Sequence, residues 1–265
     1  MEIESICRYP VKSMQGEEMT AAEVTERGLP GDRELALVDV ETGKVVSAKH
    51  PTRWGRLLRM QAATTSDGIE ITGPDGLHLA AAKAADSSAV LSRLLGREVE
   101  LTTEPPEDAQ LDRITTEGEV EVPRVGNRLA AAAPGTFFDF APLHLITTAT
   151  LHSTGMARQR YRPNLVIRTD SGERYPENDW LGQDLRIGPD LHLRIIARTP
   201  RCAIPGQAHG QLPPEPEALR VVNRENRVIP IADYPAMPCA GVYAKVLHPG
   251  RISPGDRVVV QPAAV

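Results

Sequence analysis

Cys202 stands in Thr199-Pro200-Arg201-Cys202, directly after the apolar run Leu191–Ala197. A cysteine at the mouth of a strand, with Arg198 and Arg201 close in sequence, sits where positive charge stabilises the thiolate. The thiolate is both a nucleophile and a soft metal ligand, so this sulfur is the expected centre of any chemistry. The other two cysteines read differently. Cys7 opens an apolar strand and behaves as a small buried hydrophobe, whereas Cys239, in Met237-Pro238-Cys239-Ala240-Gly241, is either core or a second reactive thiol.

Around that thiol the sequence offers groups suited to anions. Lys12 and Ser13 close Tyr9-Pro10-Val11-Lys12-Ser13, and Arg33 follows Gly31-Asp32. At turns of this kind backbone N–H groups and short hydroxyls can join a cation around an anion, although solvated or ion-paired surface residues are the plainer reading. Arg162 and Asn164 lie two apart entering a strand, so an extended chain points both to one face as a fork donor and an amide. Thr147 and Thr148, at a strand-to-helix junction, can present hydroxyls and N–H groups to an anion or simply cap the helix. His209 lies in a loop after Cys202 and can reach a site there, while His144, His192 and His78 fall in strand patterns where packing explains them. There is no HExxH, no paired Cys/His zinc spacing, no GxSxG, no GxGxxG and no P-loop, and Ser13 has no recognisable base.

The elements that must position these residues are short strands. Glu34–Val40 and Lys44–Lys49 alternate across Glu41-Thr42-Gly43 as a hairpin, followed by strands at Gly55–Ala63, Gly68–Thr72 and Leu77–Ala81. Asp86-Ser87-Ser88 reads as the cap of a helix ending at Gly96, before a strand over Arg97–Thr102. Further strands are expected at Leu143–Thr148, Pro163–Thr169, Leu185–Ile187, Leu191–Ala197 and Arg257–Gln261, with helices over Thr148–Ser153 and from Glu217 through Val222. Polar stretches over Glu104–Asp108 and Glu117–Glu121 place a domain boundary near residue 120, giving domains 1–120 and 121–265. The expected class is α+β, mainly β, with a barrel in the C-terminal half.

Composition bounds the partners. The 265 residues are 41% hydrophobic but only 4% aromatic, so the core is aliphatic. A net charge of −5 argues against a general nucleic-acid partner. Arg outnumbers Lys 25 to 5, which codon composition explains and an oxyanion pocket would also favour. Three cysteines without a CxxC, no signal-peptide pattern and no apolar run near the ~18 residues of a spanning helix lead us to expect a cytoplasmic, soluble monomer without a membrane partner.

Read in order, Tyr9–Ser13 with Gly16, Gly31-Asp32-Arg33, Leu145–Thr148, Arg160–Val166, Trp180, Pro200-Arg201-Cys202 and Gly255-Asp256 resemble the MOSC family, named for the C-terminal domain of molybdenum cofactor sulfurase. Within it the likeness is to two-part members, which include the mitochondrial amidoxime-reducing component and bacterial relatives. The resemblance implies a MOSC N-terminal β-barrel-like domain followed by a MOSC β-barrel, with the molybdenum cofactor (molybdopterin) in the cleft between them. Cys202 would ligate molybdenum and be catalytic, and Lys12, Ser13, Arg33, Thr147, Thr148, Arg162, Asn164 and Arg201 would line the pterin and its phosphate. It further implies reduction of N-oxygenated small molecules by oxo transfer, with electrons from a separate donor protein because no Cys-rich extension follows the last strand. A persulfide carrier using Cys202 and a cofactor-delivery module are the alternatives on the same fold. One departure lies behind Cys202: where relatives carry Asp-Pro soon after the cysteine, the nearest analogue is Glu215-Pro216, beyond the loop Ile204–Gly210.

Overall fold

The computed structural model describes residues 1–80, 84–106, 110–113, 137–170 and 172–263. Its first half contains β1 (Glu2–Arg8), β2 (Glu17–Met19), β3 (Ala22–Val24), β4 (Ala36–Asp39), α1 (Pro51–Trp54), β5 (Gln61–Thr65), β6 (Gly68–Thr72), β7 (His78–Ala80), α2 (Ala84–Leu95) and β8 (Val99–Thr102). The second half contains β9 (Leu143–Thr147), α3 (Thr148–Thr154), α4 (Arg158–Tyr161), β10 (Leu165–Arg168), β11 (Asp184–Ile187), β12 (Leu191–Pro200), α5 (Glu217–Glu225), β13 (Arg227–Val228), β14 (Met237–His248), β15 (Gly250–Ile252) and β16 (Val258–Gln261). The fold is α+β and mainly β.

The large sheet runs β16-β11-β12-β14-β9-β10-β1-β2. It closes on itself, because β1 also meets the start of β16: Glu2 bridges Arg257, and Val258 N donates to Met1 O at 2.9 Å. Along β12 burial alternates strictly, with Leu191, Leu193, Ile195, Ala197 and Thr199 inward, the period of a strand with one face on a core. Three register shifts against β14 bend this pair before Cys202 emerges. The smaller body is built from β4 paired with β8 and the meander β5-β6-β7, packed on α2 around Leu37, Trp54, Leu57, Ile71, Leu91 and Leu101.

The expected boundary near 120 lies outside the described residues, but the two cores do not divide the chain sequentially. Ile3, Ile6, Ala22, Val24 and Leu29 pack inside the large barrel with Leu145, Leu165 and Leu193. The chain therefore starts in the C-terminal barrel, leaves it to build the smaller body, and returns.

Several local expectations change. Gly55–Arg59 is a 3-10 helix, not a strand, and sheet pairing starts at Gln61. Lys44–Lys49 pairs with β4 only at the Val38–Val45 bridge, since β4 takes β8 as its ladder partner. α2 begins before Asp86, and Ser88 Oγ accepts from Leu101 N at 2.9 Å instead of capping. The longest strand, β14, lies where no strand was expected and runs through Pro238 and Gly241, residue types that weaken a strand pattern. Among the described residues no helix is long and apolar enough to cross a membrane.

Thr147 and Thr148 do not meet an anion site. Thr147 caps α3, accepting from Thr150 N at 3.1 Å, and its hydroxyl donates to the buried carboxylate of Glu177 at 2.7 Å, as does that of Thr150. Gly241 N, where the backbone takes φ +83°, donates to the other oxygen at 3.2 Å. Thr148 Oγ1 accepts from Thr169 N at 3.1 Å. These hydroxyls knit β9, α3 and β14 together.

Two outcomes follow from this packing. Ile6→Ala, which opens a cavity in the shared barrel core, should lower the unfolding free energy by about 2–4 kcal/mol in denaturant titrations; a loss below 1 kcal/mol, allowing for the usual scatter of about 0.5, would mean β1 is dispensable to the barrel. Burial raises the carboxyl of Glu177 above its ordinary 4.5, so the folded state binds its proton more tightly than the unfolded one. Stability from this group is thus present at low pH and lost as pH rises from 4.5 through the folded value. The stability of Glu177→Gln relative to wild type should rise over that interval, and a difference that stays constant with pH would sink this account.

Candidate functional site

A cleft opens between the two bodies. The smaller body and its turns contribute Lys12, Ser13, Arg33, Ser47 and Lys49; the barrel side contributes Asp139, His144, Tyr161, Arg162, Asn164, Arg201, Cys202 and Tyr243, among others. Seven expected site residues meet here: Lys12, Ser13, Arg33, Arg162, Asn164, Arg201 and Cys202. Thr147 and Thr148 do not line it.

Backbone conformation presents three of these side chains. Ser13 (φ 67°), Arg33 (φ 51°) and Arg162 (φ 55°) are half of the six non-glycine residues with positive φ among those described. Left-handed backbone is unfavourable for residues with a Cβ, and it persists where surrounding contacts over-determine it. Those contacts are present: Arg33 N donates to Tyr9 O at 2.8 Å, Ala48 N to Ser13 Oγ at 3.1 Å, and Arg162 N to Arg158 O at 3.0 Å as α4 ends. Arg33 and Arg162 also stand over the ring of Tyr9, 4.8 and 4.5 Å from its centroid.

The charge of the cleft does not balance. Arg33 pairs with Asp32. Lys12 and Lys49 share one carboxylate, Asp139, at 2.5 and 2.9 Å. Against the cost of burial these two ammonium groups hold the Asp139 carboxyl well below the usual range. Arg162, 8% exposed, donates to Met14 O at 2.6 Å and has no carboxylate partner among the described residues. Burial, with Arg33 beside it, pulls its guanidinium down to about 10. Arg201 donates to Tyr161 O at 2.8 Å, but its buried Nε has no hydrogen-bond partner among the described residues. Among the described residues, five cations thus stand with two carboxylates.

Beside them, His144 is a neutral ring. Burial and then Arg201 hold it well below 6.5; its Nδ1 lies 3.4 Å from Arg162 O, and its Nε2 lies 3.4 Å from both Ala240 O and Arg201 Nη1. The amide of Asn164 is occupied by the fold: Nδ2 donates to Cys7 O at 3.2 Å, and Oδ1 accepts from His144 N at 3.1 Å and Arg33 Nη1 at 3.4 Å. Asn164 positions Arg33 more than it offers donors to a ligand.

Cys202 is half-buried and packs on Ala48, Leu58 and Ile204, and it alone of the three cysteines lines the cleft. Its expected neighbour Arg198 is engaged elsewhere, donating to Asn178 O and Ile229 O at 2.9 and 2.8 Å, and does not line the cleft. Lys49, which the sequence reading did not single out, takes that place. Against burial, Asp139 and then Cys202 raise its ammonium, so thiol and amine share one corner. A signal existed: in a chain with 5 lysines against 25 arginines, Lys12 and Lys49 both belong to this cleft. Cys239 is no second reactive thiol, since burial pushes it up to about 12. Among the described residues no group of three or more His, Cys, Asp or Glu could hold a metal on its own.

The loop after Cys202 is clamped by buried Arg160, which donates to Pro205 O, Gln207 O and Pro213 O at 3.3, 2.9 and 2.8 Å. From the other body, Ala48 O accepts from Gln207 Nε2 and Leu58 O from Gly210 N, both at 2.8 Å. His209 is 2% exposed behind Arg162 and does not line the cleft. Glu215 and Pro216 lead into α5 and are likewise outside the cleft.

Residues 1–111 match the MOSC N-terminal beta barrel domain and residues 140–259 match the MOSC domain. No curated protein matches the chain. Among solved structures, the YuaD protein from Bacillus subtilis is similar at 11% identity over 99% of this chain and 96% of that one, with a TM-score of 0.44. YiiM from Geobacillus stearothermophilus is similar at 15% identity over 46% of this chain and 54% of that one, with a TM-score of 0.33. Covering the chain in order on either side of the cleft, the two domain matches place this protein in the MOSC family, in its two-domain arrangement.

Proposed function

We propose that the protein is a molybdenum-cofactor-dependent reductase of N-oxygenated small molecules. The observation that carries this reading is a cleft where one accessible thiol shares its walls with more positive charge than the carboxylates present neutralise. Such a donor set fits the cofactor at both ends. A thiolate suits a soft metal, while Arg162, Arg201, Arg33 and Lys12 suit a phosphate, and the partnerless Nε of Arg201 leaves a donor direction for it. Cys202 would be the protein ligand of a metal held chiefly by its cofactor, since no group of three or more His, Cys, Asp or Glu gathers among the described residues.

When bound, the cofactor supplies two-electron oxo transfer. Reducing a hydroxylamine to an amine takes two electrons and two protons and releases water, with the electrons coming from a separate donor protein. The residues of the chain bind and orient. Arg162 and Arg201 hold the anionic end, Ser13 adds a hydroxyl, Asn164 positions Arg33, and His144 lies between Arg162 O and the Arg201 guanidinium. Lys49 and Tyr243, on the wall with Cys202, are the groups able to pass protons to the departing oxygen.

Protein made in a host that synthesises the cofactor should carry stoichiometric molybdenum and pterin by metal and fluorescence analysis. Cys202→Ser should fold as wild type by circular dichroism and lose benzamidoxime and hydroxylamine reduction. A variant that keeps full activity would exclude the assignment. Arg162→Ala should lose pterin while retaining its unfolding midpoint, and full pterin retention would make Arg162 purely structural. Should the protein carry no molybdenum but gain the mass of one sulfur on Cys202 after incubation with a cysteine desulfurase, it is a persulfide carrier instead.

A further inference from the structure

The chain has ten aromatic residues, two Trp, five Tyr and three Phe, and their placement is uneven. Phe138, Tyr161 and Tyr243 line the cleft, and Tyr9 lies beneath its arginines. Phe140 is different. At 37% exposure it is the one aromatic among the exposed large hydrophobic residues described, yet both its chain neighbours, Asp139 and Ala141, line the cleft. Its ring centroid lies 5.3 Å from that of Tyr243, tilted by 36°, and Tyr243 in turn lies 5.6 Å from His144. A line of rings thus leads from solvent to the inner wall, backed by β14 and β9, with Tyr243 on the wall that holds Cys202 and Lys49.

We infer that Phe140 and Tyr243 form an aromatic platform at the mouth of the cleft that takes the flat ring of an aryl or heteroaryl substrate. This inference rests on the reductase reading and names its substrate class. The geometry suits stacking: aromatic rings attract in offset or tilted arrangements with centroids about 4.5–7 Å apart. A ring laid on Phe140 would cover apolar surface the fold leaves in water, and a nitrogen substituent on it would project toward the polar wall. An aliphatic substrate of the same polar head would gain neither. Tyr243 is fixed by its strand and by His144, so the platform is preorganised and little ordering opposes binding.

The test compares two neutral probes with the same head, benzamidoxime and acetamidoxime, on the molybdenum-loaded protein. Their affinities for the oxidised form, where no turnover occurs, are read by calorimetry, and their KM values with a reduced viologen as electron donor. Wild type should favour benzamidoxime. Phe140→Ala should reduce the ratio of the two affinities by about three- to tenfold, and Phe140→Tyr should restore it. A ratio that Phe140→Ala leaves unmoved overturns the platform, as does a wild type without preference. The two readings separate cleanly. Ring preference that depends on Phe140, without reduction of either probe, keeps the platform and removes the reductase; reduction of both with an unmoved ratio does the reverse.

Discussion

Positive charge held out of water without enough carboxylate to neutralise it is the constraint on which this structure depends. A buried ion carries an effective penalty of several kcal/mol, about the whole margin by which a domain is stable. The protein offsets part of it with groups that are not anions. Carbonyls of Phe137, Met14 and Tyr161 accept from Lys12, Arg162 and Arg201, and the face of Tyr9 receives two guanidinium groups. What remains, among the described residues, is a cleft with more positive than negative charge. In a chain of net charge −5, gathering five cations at one cleft follows from where the turns put them, not from bulk composition.

That gathering requires the chain to thread both bodies. β1 is a barrel strand followed closely by Lys12 and Ser13, so the turn that carries them into the cleft is anchored in the barrel although it faces the smaller body. Lys12 N donates to Leu35 O and Arg33 N to Tyr9 O, which ties the second turn to the first. On the far side, Arg160 and the carbonyls of Ala48 and Leu58 fasten the loop behind Cys202 to both bodies. A departure from the family's spacing in that loop therefore changes a clamped segment and leaves the thiol's support intact.

How much of this was legible depended on whether the signal was local. Strands marked by alternation or a short apolar run, β6, β10, β11 and β12, were readable from pattern. β14 was hidden because its Gly241 serves a tertiary need: a Cβ there would lie 2.4 Å from His144 Nε2 and 2.5 Å from Leu145 O. Gly55–Arg59 carries strand-like residues, yet Leu57 and Leu58 are buried by a helical turn. Among site residues, cations at Pro- and Gly-marked turns were found by that context. Thr147 and Thr148 had a suitable position but a nearer partner in Glu177 and Thr169. Lys49 and Asp139 had no local mark, since what makes them functional is each other across 90 residues of chain.

The same distinction bears on Cys202. Proximity in sequence named Arg198 and Arg201 as its flanking charges, but Arg198 donates to Asn178 O and Ile229 O away from the cleft, and of the two only Arg201 lines it. The thiol shares its corner with Lys49, while His144, which lines the same cleft, is buried beside Arg162 and Arg201, and burial lowers its basicity. Cationic surroundings stabilise a thiolate whether it attacks a substrate or ligates a soft metal. What the fold fixes is therefore the charge around Cys202, in which Lys49 and Arg201 stand where the local sequence alone named Arg198 and Arg201.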